Sequence, residues 1–162
     1  MRWIIAITIS CLTHVQTANA SEIYLRIANN TVRALVADLN IDTEIVTVPT
    51  VREPDGLAMS SRNRRLGERD RARAVGVSQA LLAAQALAAA GEHSAKKVLA
   101  AAAEILRRHH IEPEYLELVD AETFLRIDVL GGGPAVLAVA ADLGGTRLID
   151  NVLVEAVLID PV

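Results

Sequence analysis

A single cysteine, Cys11, leaves the chain without a disulfide framework. The four histidines form no metal-ligand pattern with it. His109 and His110 are adjacent, so on a helix they point about 100° apart and cannot clamp one ion. They read instead as a basic helix C-terminus, which suits the dipole there. Aromatic residues make up 2% of the sequence, too few to interleave with basic residues as a nucleic-acid surface requires. No apolar run reaches the ~18 residues of a membrane span. The net charge of −4 supplies no pull towards nucleic acid or anionic membranes. There is no low-complexity linker, and 162 residues are enough for one domain with a sizeable core. Apolar residues reach 52%, mostly Ala, Leu and Val, a composition in which helices should be prominent.

Turn chemistry, two adjacent hydroxyls and a string of arginines converge only between Pro49 and Asn63. In Pro54-Asp55-Gly56, proline presets φ, aspartate bonds its own backbone and glycine accepts positive φ, so a turn is expected. Met59-Ser60-Ser61-Arg62 follows, in a loop that leads into a helix. Hydroxyls and backbone N–H groups can donate to a phosphate while an arginine forks two bonds onto its oxygens. The same residues also suit an ordinary strand-to-helix connection with Ser or Asn near the helix start. Six arginines lie between Arg62 and Arg73, opposed by Glu68 and Asp70. The spacing of Asp70 and Arg73 predicts an intrahelical ion pair, and the arginines after Arg65 read as the solvated start of a long helix. A nucleic-acid surface is the other reading of this run.

The N-terminus differs in character. Met1-Arg2 precedes a short apolar run from Trp3 to Leu12, and Ala18-Asn19-Ala20 fits the small-x-small rule for cleavage before Ser21. An apolar strand or helix start, or a misplaced start codon, explains the same pattern. Ser21 to Thr31 shows no clear period.

From Val32 the elements become readable. Val32, Leu35, Val36 and Leu39 form one helical face, and Thr43 to Val48 is β-branched and reads as a strand. A helix is expected over Ala72–Ala90 with Leu81, Leu82 and Leu87 as its large core side chains, stopped by Gly91. A second, capped by Ser94, is expected over Ala95–Arg108 with Val98, Leu99, Ala102, Ile105 and Leu106 buried. The short connection makes the two antiparallel. Strands are expected at Tyr115–Val119, at Ala135–Ala141 (a continuous apolar run, hence buried on both faces) and at Thr146–Val154, where Asp150-Asn151 breaks the pattern. Strands that follow helices and are joined by turns predict a small antiparallel sheet covered by the helix pair.

The run from Val48 to Asn63, with its Arg-Glu-Pro-Asp-Gly-Leu-Ala-Met-Ser-Ser-Arg-Asn text, resembles the signature of the pantothenate synthetase (pantoate–β-alanine ligase) family. Arg33 to Val48, Tyr115-Leu-Glu-Leu118 and Gly145-Thr-Arg-Leu-Ile-Asp-Asn151 also resemble that family, so the likeness covers about residues 32–157. The resemblance implies ATP-dependent condensation of pantoate with β-alanine through an enzyme-bound pantoyl-adenylate, with Mg²⁺. It implies a fold between α/β and α+β. A remnant helix and strand of a Rossmann-like nucleotide domain precede a small domain of two long helices packed on an antiparallel sheet of about three strands. It implies that Met59, Ser60, Ser61 and Arg62 form a mobile KMSKS-type loop holding the ATP phosphates, and that Val51 is a further contact to the nucleotide. No catalytic or metal-ligating residue is carried over.

The departures are equally specific. The family's P-T-M-G-x-L-H-x-G-H run, with the histidine that assists adenylation, is absent from these residues. Glu22 to Ala28 stand where a G-E-K-D-Y-Q-Q segment is expected and do not match it. The chain thus looks like a C-terminal half behind an unrelated leader. The expected division is a leader at 1–31, signal-like over 1–20; a nucleotide-domain remnant at 32–50; and a C-terminal domain at 51–162 that opens on the phosphate loop. A cytoplasmic enzyme of low activity on its own is expected, with small-molecule partners and neither nucleic acid nor membrane. The family's homodimer rests largely on its nucleotide domain and is not carried over. The alternative is a non-catalytic, exported helix-and-sheet domain.

Overall fold

The computed structural model describes residues 3–6, 39–40, 42–46, 50–121, 123–131 and 133–155. Strands β1 (Trp3–Ala6) and β2 (Thr43–Val46) pair in parallel, Trp3 opposite Thr43 and Ala6 opposite Val46. The strand reading of the N-terminal apolar run therefore holds for Trp3–Ala6. The Ala18–Ala20 cleavage pattern and the helix expected at Val32–Leu39, apart from Leu39, lie outside the described residues.

A 3-10 turn at Ser61–Arg65 leads into helix α1 (Glu68–Ala89), followed by helix α2 (Ala95–Arg108). Helix α1 starts four residues before the expected Ala72, so the arginines at 69, 71 and 73 are helical. Glu68 and Asp70 in its first turn suit the helix dipole. Ala74, Val77, Leu81, Ala84 and Ala88 follow the helical period and are buried. They face Ala95, Val98, Ala102 and Leu106 of α2, all buried in the same core. Small alanines on both faces let the axes approach closely. Leu82 is 45% exposed and Leu87 half-buried, against the expectation that both fill the core. Leu82 lies about 100° round the helix from Leu81 and so leaves the buried face.

The two helices also meet through Gly76. A Cβ there would collide with the His109 ring, which lies across α1 with Nε2 3.0 Å from Gln79 Oε1. His109 is the C-cap of α2 and follows Arg107 and Arg108 in its last turn. Arg73 of α1 also reaches that end, donating from Nε to His109 O (3.2 Å) and from Nη2 to His110 O. Ser94 stands at the N-cap of α2, but its side chain makes no capping bond, unlike the expected cap. Its own N–H is bound by Glu92 Oε1 at 2.9 Å.

Strands β3 (Pro113–Asp120), β4 (Ala135–Leu143) and β5 (Thr146–Val154) form an antiparallel sheet with β4 central. As the continuous apolar run predicts, β4 is buried on both faces, apart from Asp142. Leu137, Val139 and Ala141 join the core under the helices, while Val136 and Ala138 pack with Val119, Ala121, Phe124 and Leu153 on the opposite side. Among the described residues no helix is long and apolar enough to cross a membrane.

The β4–β5 hairpin closes on Gly144 and Gly145, with φ of +61° and +80°. Positive φ at both central residues is the two-residue turn that matches the twist of paired strands. A Cβ on Gly144 would run into the Asp70 carboxylate, whereas one on Gly145 meets nothing within 4 Å. Gly144→Ala should therefore lower stability by about 1–2 kcal/mol from the left-handed backbone, before any clash. Gly145→Asn should stay within about 0.5 kcal/mol of the parent. Urea unfolding of the two variants checks the contrast.

Candidate functional site

Thr50 to Asn63 folds back on itself at the Pro54-Asp55-Gly56 turn. Arg52 and Ala58 form an antiparallel bridge, and Met59 N–H donates to Val51 O at 2.8 Å. Glu53 N–H donates to Leu57 O (2.7 Å) and Gly56 N–H to Glu53 O (2.8 Å), with Gly56 at φ +92°. Asp55 Oδ1 accepts Leu57 N–H two residues on, at 3.2 Å, as the turn chemistry predicts. Leu57 is buried and fixes the loop to the main core.

Past this turn, Ser60 takes an extended backbone and its Oγ accepts Arg62 N–H at 3.2 Å. Asn63 N–H donates to Ser60 O at 3.0 Å, closing the 3-10 turn. Met59, Ser60, Ser61 and Arg62 are all exposed, Met59 to 51%. Val51, half-buried, lies beside them through its bond to Met59. The fold thus brings the five residues that the sequence points to onto one rim.

Two ion-pair systems hold that rim from behind. In the first, Arg52 Nη1 bonds Asp150 Oδ2 at 2.6 Å and Gly56 O at 3.1 Å, and Nη2 bonds Asp150 Oδ1 at 3.1 Å. Asp150 is 1% exposed, and Asn151 N–H donates to its Oδ1 at 2.8 Å. Burial pushes the Asp150 carboxyl above the ordinary carboxylate range and outweighs the downward pull of Arg52 and of the Asn151 N–H. In the second, Arg71 forks between Glu53 Oε2 (2.7 Å) and Asp55 Oδ2 (2.6 Å). Its guanidinium holds the Asp55 carboxyl below the usual range, and the two acids raise Arg71 in return. The other Glu53 oxygen, Oε1, accepts Asn63 Nδ2 at 2.6 Å, and the same Nδ2 donates to Ala58 O at 3.0 Å. Asn63 Oδ1 is buried with no hydrogen bond, so the amide's hold on the turn comes from those two donations.

The arginines of this region sort into two groups. The predicted Asp70–Arg73 pair forms at 2.7 Å, and Arg71 is committed to Glu53 and Asp55. These two do not simply face solvent, as the reading of a solvated helix start has them. Among the described residues Arg62, Arg64, Arg65 and Arg69 are exposed and enter no ion pair. The rim therefore presents hydroxyls, a guanidinium and arginines outside any ion pair, while Glu53 and Asp55 beside it share one arginine, Arg71. Among the described residues no group of three or more His, Cys, Asp or Glu is placed to hold a metal ion.

Arg52, Glu53 and Asp150 do not stand out in the sequence as site residues. The one signal is Asp150-Asn151 interrupting an otherwise apolar strand: an acid in a buried strand needs a cation.

A helix pair laid on a three-stranded antiparallel sheet, opening on an exposed loop of hydroxyls and a guanidinium, defines an α+β module. The family model described as pantoate-beta-alanine ligase matches residues 28–153, and the chain belongs to that family. The match begins and ends slightly earlier than the motifs suggest. The chain is 50% identical over 128 residues to pantothenate synthetase 1 of Bradyrhizobium diazoefficiens, covering 76% of this chain and 44% of that protein. It is 47% identical over 122 residues to the pantothenate synthetase of Acidobacterium capsulatum, covering 75% and 40%. The crystal structure of pantothenate synthetase from Thermus thermophilus superposes with a TM-score of 0.68 at 42% identity, covering 75% of this chain and 44% of that one. The chain thus spans less than half the length of these relatives.

Proposed function

We propose that these residues supply the nucleotide-phosphate side of an ATP-dependent pantoate–β-alanine ligase. The reaction joins a pantoate carboxylate oxygen to the α-phosphorus of ATP as pyrophosphate leaves. The β-alanine amine then attacks the acyl carbon, an amide forms, and AMP and a proton are released. Charge builds on the leaving pyrophosphate, and fixed donors aimed at it lower the barrier. Arg62 forks onto its oxygens, the Ser60 and Ser61 hydroxyls donate to them, and Met59 and Val51 flank the nucleotide. The observation that carries this reading is the rim itself: exposed donors, with Glu53, Asp55 and Asp150 behind them all bound to arginine. Mg²⁺ bound to the triphosphate would offset its charge. The described residues offer it no carboxylate cluster, so none is assigned to it.

The histidine of the family's P-T-M-G-x-L-H-x-G-H run and the lysine, aspartate and glutamine of its G-E-K-D-Y-Q-Q segment have no counterparts in these 162 residues. The chain should accordingly form little or no pantothenate when assayed alone with ATP, pantoate and β-alanine. Adding a polypeptide that carries both motifs, taken from the Thermus thermophilus relative, should restore turnover. Full turnover by the chain alone would remove the need for those motifs. A mixture that stays silent while the intact relative works would remove the ligase reading.

A further inference from the structure

We infer that Glu53 is a positioning residue for the phosphate loop, its carboxylate clamping the Asn63 amide to the Arg71 guanidinium so that Ser60–Arg62 is held in one geometry. The inference rests on the ligase reading above and adds to it a residue outside the loop.

A carboxylate beside an anion-binding loop is a liability, because it repels the ligand through a short distance. Glu53 occupies such a place: it lies within the turn from which Met59–Arg62 leaves, and its carboxylate reaches the same 3-10 turn that carries Ser61 and Arg62. Two features turn the liability into a frame. Arg71, fixed on α1, binds one oxygen, and because it also binds Asp55 it spans both acids of the turn. The other oxygen takes a donor of Asn63, the buried residue of the 3-10 turn, whose Nδ2 also binds Ala58 O just ahead of Met59. The loop is thereby pinned on both sides of its exposed tip, at Ala58 and at Asn63, to a guanidinium that α1 keeps in place. No atom of Glu53 needs to touch the ligand. Its effect passes through the backbone of Ser60–Arg62, where a misplacement of about 1 Å costs on the order of a hundredfold in a reacting site.

Inorganic pyrophosphate is the probe, titrated calorimetrically into the full chain at low salt. Glu53→Gln keeps the shape of the side chain, but a neutral amide cannot accept from Asn63 and Arg71 with both ends. Affinity should fall at least about tenfold, while the melting temperature moves by no more than about 4 °C, because half-exposed ion pairs are individually weak. Arg71→Lys retains the charge but cannot fork between Glu53 and Asp55, so its affinity should lie between the two. Such a split between affinity and melting, graded through Arg71→Lys, is what a purely structural contact would not produce. Unchanged affinity in Glu53→Gln, or a loss that simply tracks unfolding, overturns the positioning role and leaves the ligase reading standing. A parent chain with no affinity for pyrophosphate overturns both.

Discussion

Arg52→Ala should lower the free energy of unfolding by about 3–5 kcal/mol at neutral pH, the range for removing one partner of a buried ion pair. Asp150 is the only acid or base among the described buried residues, and it sits in β5 opposite Val139 of the central strand. Without Arg52 it keeps only the Asn151 N–H as a donor. Its pKa, already raised by burial, then loses the downward pull of the guanidinium and rises further. The folded state therefore disfavours the ionised form. The penalty is full above the folded pKa and fades as pH falls towards the ordinary value of 3.8. The deficit of Arg52→Ala relative to the parent should thus be largest at pH 7 and shrink on acidification. Arg52→Met combined with Asp150→Leu removes both charges and should recover most of the loss, since well-packed apolar pairs commonly match buried ion pairs. Urea unfolding of the parent, the single and the double variant at pH 7 and pH 4.5 measures all three. Equal loss in single and double variants, independent of pH, would contradict the assignment.

This pair also marks where local sequence reasoning stops. Periodicity reports which face of an element is buried, and it locates α1, α2 and the double-sided burial of β4 because each signal lies within one stretch of chain. The Pro54-Asp55-Gly56 turn is legible for the same reason: its chemistry is confined to adjacent residues. Arg52 and Asp150 are 98 residues apart, and nothing in either neighbourhood names the other. Glu53, Asn63 and Arg71 are closer in sequence but belong to a loop, a 3-10 turn and a helix, so no single period connects them. Sequence reasoning starts α1 too late because an arginine-rich run looks solvated. In the fold, Arg71 and Arg73 reach back to the loop and across to the end of α2. The exposed loop tip is legible from its residue types, and its supports are not.

The tip and its supports should respond to mutation in opposite ways, and Arg62→Ala is the sharpest case. Arg62 is exposed, enters no ion pair among the described residues, and its bond to Ser60 Oγ comes from the backbone N–H, which alanine retains. Its removal should change unfolding free energy by no more than about 0.5 kcal/mol. In the chain complemented with the motif-bearing polypeptide, the same change should slow pyrophosphate release in the adenylation step by about 10²–10³-fold, the usual loss for one donor aimed at developing charge. Arg62→Lys keeps a point charge but not the planar fork and should fall between the two. Rapid-quench measurement of pantoyl-adenylate formation separates this step from the later attack by β-alanine, which should be unaffected once the adenylate is supplied. A large fall in melting temperature with normal adenylate formation would place Arg62 in the fold rather than at the phosphates. The expected pattern, full stability with a slow first step, is the reverse of that for Arg52→Ala, whose main loss is in folding.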